Sequence, residues 1–308
     1  MSEIAPFSPP CPLHTPVLFL VYKRPDTTRQ VFEAIRQAKP PRLYVAADGP
    51  KKDVPGEAEK VKQVREIILN GVDWDCEVKT LFREENLGCK YGVSGGIDWF
   101  FENEEEGIIL EDDTLPSQSF FWFCQELLVY YRNNSKIGMI SGNNRFENKM
   151  NQSDFFFSMH GLIWGWATWK YAWEKRDIHM ESYGDKAKLD LFSYIGDKKV
   201  TEFWLEKFDK VAYTKFDTWD YQWTYSRYIN KFLTIRPKFN LVKNIGFNNE
   251  ATHTQGKPDK RFVKKNDVNF PLIYPKSIIA DGEEDKKLEK EWLNNKNIIK
   301  RIIRKLIY

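Results

Sequence analysis

Three adjacent acids, Glu111, Asp112 and Asp113, carry the clearest chemical signal in the sequence. They follow the short apolar run Ile108–Leu110 and precede Pro116, so we predict that they lie at the C-terminal end of a buried parallel strand. Ligands of open α/β sheets bind at that end. Adjacent carboxylates repel one another unless a cation compensates them, and hard oxygen ligands suit Mg²⁺ or Mn²⁺ that bridges to substrate phosphates. The pattern therefore predicts a metal and phosphate site.

Side chains alternate along a strand, so neighbouring acids should have different partners. We expect Asp113 to contact the metal and either Asp112 or Glu111 to face a sugar hydroxyl. A solvated acidic loop is the plainer alternative, and it would explain three acids alone better. The order that follows, Pro-Ser and then a helical pattern beginning near Ser117, favours the site over the loop.

Two further polar residues follow the first two predicted strands, Val17–Tyr22 and Arg42–Ala47. A helix between these strands would make a βαβ unit, which brings their C-terminal ends together. Arg24 is then a candidate phosphate contact. Asp48 is a candidate acceptor for a nucleobase N–H, although an ordinary turn aspartate explains it equally well.

A glycine-rich segment, ENLGCKYGVSGG (85–96), follows the third predicted strand. Its glycines allow close backbone approach before or within a helix, but the spacing matches neither a dinucleotide fingerprint nor a P-loop. Lys90 is a candidate phosphate or sugar contact, and a solvated lysine is the commoner case.

The segment FFFSMHGLIWGWATWKYAW (155–173) is crowded with aromatic residues and punctuated by glycines. Aromatic faces commonly line sugar sites, so we expect Trp164, Trp166 and Trp169 to wall a carbohydrate cleft rather than to pack in the core. His160 is placed to point into that cleft, although an imidazole hydrogen-bonded in place is the more frequent case.

Farther along, FDTWDYQW (216–223) places Asp217 and Asp220 three residues apart, on one face if a helix begins here. A carboxylate between tryptophans is partly desolvated, so Asp220 is a candidate general base. For Asp217, capping of this helix without any chemistry is the stronger explanation. His253 is a candidate second metal or diphosphate ligand.

Composition excludes several classes of protein. A chain of 308 residues can bury a large core, as one α/β domain or two. Its net charge of +3 gives no reason to expect nucleic-acid binding. Four cysteines without paired spacing argue against a zinc site or a disulfide framework. No signal-peptide pattern or apolar run of transmembrane length is visible, so we expect a cytoplasmic protein.

The sequence from 282 onward has a helical pattern, with isoleucines on one side and cations on the other. Its cations are Lys296, Lys300, Arg301, Arg304 and Lys305. Such a basic amphipathic helix is typical of an interfacial membrane anchor, so we expect peripheral contact with the cytoplasmic face of a membrane. A helix that docks on its own domain or on a second subunit is the alternative.

Six segments together carry a family resemblance: Pro16–Pro25, Leu43–Lys51, Glu85–Gly92, Ile108–Phe121, Phe155–Trp173 and Phe216–Trp223. In this order they resemble GT-A glycosyltransferases of the N-acetylglucosaminyltransferase I type, and more closely the bacterial hemolytic-protein-like sugar transferases of surface-polysaccharide loci. The resemblance implies a Rossmann-like α/β fold with a mixed, mainly parallel sheet flanked by helices. It implies one GT-A domain over 14–270, with a nucleotide-sugar-binding half (14–145), an acceptor-binding half (146–270) and a tail (271–308).

The resemblance also implies roles for single residues. Glu111, Asp112 and Asp113 match an EDD form of the DXD motif, with Asp113 as direct metal ligand and Asp112 near the ribose. Arg24 matches a donor phosphate contact, and Asp48 matches a pyrimidine contact.

The remaining matches lie in the acceptor-binding half. Asp220 matches the catalytic base of inverting members. Trp164 and Gly165 belong to the loop that walls the donor sugar and the acceptor, and His253 is carried over as a second metal ligand. The chain lacks the transmembrane stem of the Golgi enzymes, so their N-glycan acceptor is not expected.

These patterns together predict an inverting, Mn²⁺- or Mg²⁺-dependent glycosyltransferase with a nucleotide-sugar donor, UDP rather than GDP by resemblance, and a glycan or lipid-linked glycan acceptor. A sugar-1-phosphate nucleotidyltransferase is the first alternative, but it usually needs a glycine-rich N-terminal loop with a lysine, and VYKRPDT has only the lysine. A non-catalytic carbohydrate-binding protein would leave the acids without a role. A glycosidase using two of the acids would need neither nucleotide nor metal.

Overall fold

The computed structural model describes residues 7–146, 152–246 and 265–307, of which 295–307 are described by their backbone alone. Within these ranges the strands are β1 (Val17–Val21), β2 (Arg42–Ala47), β3 (Glu77–Phe82), β4 (Glu106–Glu111), β5 (Thr114–Pro116), β6 (Ile137–Ser141), β7 (Phe155–Ser158), β8 (Trp166–Trp169), β9 (Leu233–Pro237) and β10 (Val242–Asn244). The helices are α1 (Pro25–Ala38), α2 (Glu57–Leu69), α3 (Gly88–Asn103), α4 (Gln118–Tyr131), α5 (Lys170–Trp173), α6 (Asp185–Ile195), α7 (Lys198–Tyr213), α8 (Asp220–Ile229) and α9 (Gly282–Ile307).

The main sheet has eight strands in the described chain, in the order β3-β2-β1-β4-β8-β6-β9-β7. The first four are parallel neighbours, and β8 lies antiparallel between β4 and β6. β9 runs parallel to β6, and β7 runs antiparallel to β9. Two antiparallel steps restore the strand direction, so six of the eight strands run the same way. The predicted α/β fold with a mixed, mainly parallel sheet flanked by helices is confirmed.

The sequence of β1 shows why this sheet is covered on both faces. Val17, Phe19 and Val21 pack into a core with apolar residues of α1, α2 and α4. The two leucines between them pack into a second core with residues of α3. Successive side chains of a strand point to opposite faces, so an all-apolar strand is stable only between two layers of helices. The first predicted strand is confirmed as β1, one residue shorter than expected, and the second is confirmed as β2.

Most of the aromatic segment at 155–173 belongs to the core, and residues 161–164 are only half-buried. Trp166 and Trp169 lie in β8 and are 0% and 1% exposed. Trp166 stacks on Trp219 with ring centroids 5.8 Å apart, and Trp223 lies 5.9 Å away. The expectation that Trp166 and Trp169 wall a cleft was wrong. The α8 rings pack against Trp166 and exclude solvent, whereas Trp169 is buried in the other core, under α4.

The described side chains of α9 dock on the edge of the sheet. Asp285 accepts hydrogen bonds from the Ser158 hydroxyl and from the N–H of Met159. His160 is fully buried, with Nδ1 2.7 Å from the Tyr228 hydroxyl and Nε2 2.9 Å from Glu289. His160 is therefore held by hydrogen bonds inside the fold and does not point into a cleft. Among the described helices, none has the length and apolarity that crossing a membrane requires.

Candidate active site

A cavity of about 610 Å³ lies at the C-terminal ends of β1, β2 and β4. Open α/β sheets bind ligands at this edge, where parallel strands end and their helices begin. The cavity brings together most of the residues that the sequence singled out: Arg24, Asp48, Glu111, Asp112, Asp113, Trp164 and Asp220.

Arg24 forms ion pairs with two of the acids that follow β4. Its Nη1 donates to Asp113 Oδ2 at 2.9 Å, and its Nη2 donates to Asp112 Oδ1. Both carboxylates are nearly enclosed: 4% of the Asp112 side-chain surface and 12% of the Asp113 side-chain surface are exposed. Glu111 lines the same wall. One guanidinium thus lies among three carboxylates of the described chain, and this cluster keeps a negative charge.

The electrostatics of the acid cluster favour an added cation. Burial beside Asp113 raises the pKa of Glu111 to about 8. Burial also raises the pKa of Asp113, although Arg24 opposes the shift. Burial works against the charge of Arg24, yet the charges of Asp112 and Asp113 raise its pKa. A divalent cation would relieve the repulsion among the acids.

The acid cluster could supply only part of the ligands that a metal ion needs. In the described ranges, no three His, Cys, Asp or Glu side chains are grouped to bind an ion by themselves. Mg²⁺ is commonly bound by one or two carboxylates and completed by water and substrate phosphates, and Asp113 beside Asp112 suits such a site. The other predicted ligand, His253, lies outside the described residues.

Asp48 lies just beyond β2 and contacts the start of α3. Its carboxylate accepts hydrogen bonds from the N–H groups of Leu87 (3.0 Å) and Gly88 (3.1 Å) and from the Asn86 side chain (3.0 Å). Burial raises the pKa of Asp48 in spite of these donors. A nucleobase N–H would have to share oxygens that already serve α3.

Asp220 reaches the cavity from the first residue of α8. The Thr218 hydroxyl donates to its Oδ1. Asp217 precedes the helix, and its carboxylate accepts hydrogen bonds from the N–H groups of Cys89 (2.8 Å) and Lys90 (2.7 Å). Asp217 therefore caps α3 and not its own helix, because the turn before α8 lies against the start of α3.

Two of the predicted site residues do not line the cavity. The ammonium group of Lys90 lies over the Tyr91 ring, 5.2 Å from its centroid. Gly165 is buried at φ +66°, and a Cβ on it would lie 2.8 Å from a methyl group of Val242. Side chains rarely adopt that conformation, and here one would also clash with Val242, so Gly165 shapes the turn that follows Trp164.

Trp164 and Trp166 should respond differently to substitution. Trp166→Ala removes a buried ring and should lower the free energy of unfolding by about 3–5 kcal/mol. Trp164→Ala should change it by no more than about 1 kcal/mol, because Trp164 is only half-buried on the cavity wall. Urea denaturation of both variants measures the difference. Equal losses of stability would contradict the assignment of Trp164 to the wall.

A second polar cluster, which no sequence pattern indicates, lies on the cavity wall. Glu57 is 2% exposed, and its carboxylate accepts hydrogen bonds from the Tyr22 hydroxyl, the Lys23 ammonium and the N–H of Lys51. Asn86 extends the cluster by donating to the Tyr22 oxygen at 3.0 Å. In the sequence Glu57 is one of several acids in a charged helix, and only the sheet topology brings it beside Tyr22.

No protein-family model matches the sequence, and neither does any curated protein. Among similar solved structures, HddC from Yersinia pseudotuberculosis is 10% identical over 51% of this chain and 77% of its own, with a TM-score of 0.30. A UDP-glucose pyrophosphorylase complexed with UDP-glucose is 9% identical over 73% of this chain and 90% of its own, with a TM-score of 0.35, and the glycosyltransferase GlyE of Streptococcus pneumoniae TIGR4 is 12% identical over 60% of this chain and 40% of its own, with a TM-score of 0.28. Similarity at this level carries no weight for function.

Proposed function

We propose that the protein is a metal-dependent, inverting glycosyltransferase. It would move a sugar from a nucleotide-diphosphate donor, a UDP-sugar by family resemblance, to a hydroxyl of a surface glycan or lipid-linked glycan. One observation carries the proposal: a single cavity joins the acid cluster paired with Arg24 to a separate carboxylate, Asp220, supplied by α8. A departing diphosphate and an attacking hydroxyl need these two kinds of group.

Arg24 and Asp113 would hold the donor diphosphate. The planar guanidinium of Arg24 suits phosphate oxygens. Asp113, with Asp112 beside it, would bind one Mg²⁺ or Mn²⁺, which when present neutralises charge on the leaving diphosphate. Phosphate oxygens would compete with both carboxylates for Arg24, so we expect the donor and the metal to bind in a mutually dependent way.

Asp220 would act as the general base. As the acceptor oxygen attacks the anomeric carbon, its proton passes to the Asp220 carboxylate and the new C–O bond forms. The bond from the anomeric carbon to the diphosphate oxygen breaks, and the nucleoside diphosphate leaves with the electron pair. Trp164 and Ile163 line the same cavity and would give the sugar an apolar wall.

Lys23 favours a second candidate, a sugar-1-phosphate nucleotidyltransferase. Its ammonium group lies on the cavity wall, paired with Glu57. A lysine near carboxylate-held Mg²⁺ would suit a nucleoside triphosphate that joins a sugar 1-phosphate and releases pyrophosphate.

Product analysis separates the two candidates. The protein is incubated with Mn²⁺, a panel of UDP- and GDP-sugars and an oligosaccharide or lipid-linked acceptor, and separately with nucleoside triphosphates and sugar 1-phosphates. We expect release of a nucleoside diphosphate that a chelator stops. Release of pyrophosphate alone would favour the nucleotidyltransferase. If neither a nucleoside diphosphate nor pyrophosphate is released, both candidate functions are contradicted.

We also propose that the end of α9 contacts an anionic membrane, which would suit a lipid-linked acceptor at the cytoplasmic face. Removal of residues 295–308 should release the protein from anionic vesicles, because each cation near such a surface contributes about 1 kcal/mol to binding. The contacts that Asp285 and Glu289 make within the domain remain in this variant. Sedimentation with anionic and neutral vesicles measures the effect, and unchanged sedimentation would mean that the tail is structural.

A further inference from the structure

The turn that carries Asp220 makes two contacts with other elements and one contact within itself. The Asp217 carboxylate binds two N–H groups of α3. The Trp219 ring is 2% exposed and stacks on Trp166. The Thr218 side chain, 6% exposed, donates its hydroxyl hydrogen to Asp220 Oδ1. The turn thus has little freedom to move relative to the sheet.

Asp217 and Asp48 divide the first N–H groups of α3 between them. A helix leaves these groups without partners inside its own backbone. Asp48 accepts from Leu87 and Gly88, and Asp217 accepts from the next two residues. The start of α3 therefore joins the end of β2 to the turn that supplies Asp220.

Gly88 makes the approach of Asp217 possible. It has φ +77°, a conformation that side chains rarely adopt, and a Cβ there would lie 2.6 Å from Asp217 Oδ2. The glycine of the ENLGCKYG segment and the first aspartate of FDTWDYQW thus serve one contact, although they lie far apart in the sequence.

We propose that Asp217 and Thr218 are positioning residues for the transfer reaction, an inference that rests on the proposed function. Asp217 fixes the turn against the nucleotide-binding half, and Thr218 fixes the rotation of the Asp220 carboxylate. An attacking hydroxyl held by the cavity then meets a base at a set distance and angle. Small displacements of such groups are costly to rate.

Thr218→Val keeps the shape of the side chain and removes the hydroxyl. We expect kcat to fall between about tenfold and a hundredfold, with the donor KM within about twofold of its normal value. The acidic limb of the pH–rate profile should move to higher pH, because a hydroxyl that donates to a carboxylate favours its charged form. Glu111, Cys89 and Tyr221 are titratable groups that sense the charge of Asp220: burial raises the pKa of each, and the charge of Asp220 raises it further. Thr218→Ser should restore both readouts.

Asp217→Ala should lower kcat about tenfold and speed amide hydrogen exchange at Cys89 and Lys90. Asp217→Asn keeps one acceptor oxygen, so its kcat and its exchange rates should lie between those of the wild-type protein and those of Asp217→Ala. Asp197→Ala is the matched control. Asp197 caps α7 by accepting from the N–H of Val200 at 3.0 Å, and it does not line the cavity. Its loss should affect stability without affecting kcat.

The kinetic measurements distinguish failure of the positioning roles from failure of the proposed function. If the wild-type protein transfers sugar but Thr218→Val and Asp217→Ala have normal kcat and pH profiles, or behave like Asp197→Ala, the positioning roles are overturned. If the wild-type protein transfers sugar from no donor, the proposed function itself fails, and the positioning roles fail with it.

Discussion

Asp220→Asn should reduce the rate of sugar transfer by a factor of about 10²–10⁴ and leave donor affinity within about twofold. Asparagine has nearly the same shape and still accepts the Thr218 hydrogen bond. It cannot take up the proton of the acceptor hydroxyl, so the chemical step should fail while the donor still binds. Separate measurement of kcat and of KM for donor and acceptor tests this expectation.

Asp185→Asn is the matched control for Asp220. Asp185 is also the first residue of a helix, but it is exposed and does not line the cavity. Its substitution should leave transfer unchanged. Near-normal transfer by Asp220→Asn would remove Asp220 from the mechanism and make Glu111 the next carboxylate of the cavity to test.

Arg24→Met should have the largest combined effect on stability and binding. The variant leaves Asp112 and Asp113 without the guanidinium that pairs with both. Loss of one partner from a buried ion pair costs about 3–5 kcal/mol of unfolding free energy. Donor binding should become undetectable, while Mn²⁺ should restore part of the lost stability because it supplies the missing positive charge. Thermal denaturation with and without Mn²⁺ measures both effects.

Arg36→Met provides the comparison for Arg24. Arg36 also pairs with two carboxylates, Glu33 and Asp73, but all three lie on the surface. Exposed ion pairs contribute little, so this variant should keep nearly all of its stability and its full response to donor. Similar behaviour of the two variants would mean that Arg24 is an ordinary surface ion pair.

The sequence was sufficient to predict the framework of the site. β1 is wholly apolar and β4 is apolar over Ile108–Leu110, and this pattern requires helices on both faces of a sheet. Once the strands are parallel, the residues that follow them must meet at one edge, which is where Arg24, Asp48 and Asp113 lie. Position along the chain was therefore a good guide wherever a strand end supplied the residue.

Contacts between distant side chains could not be predicted in the same way. Asp217 lies at a helix start in the sequence, and nothing local indicates that it caps α3 instead. Trp166 was expected on a cleft wall because aromatic residues serve both cores and sugar sites. Only the packing of α8 on β8 decides which of the two applies, and that packing is a property of the whole fold.

The most direct test of the account is a thermal-shift titration with UDP, GDP and their sugar derivatives, in Mn²⁺, in Mg²⁺ and in a chelator. We predict a rise in Tm with one nucleoside diphosphate that requires a divalent cation and is absent in Arg24→Met. A ligand at a hundred times its Kd stabilises the folded state by about 2.7 kcal/mol, which is readily measured. Absence of any shift, or equal shifts with the chelator, would contradict a metal-dependent nucleotide-sugar site in this cavity.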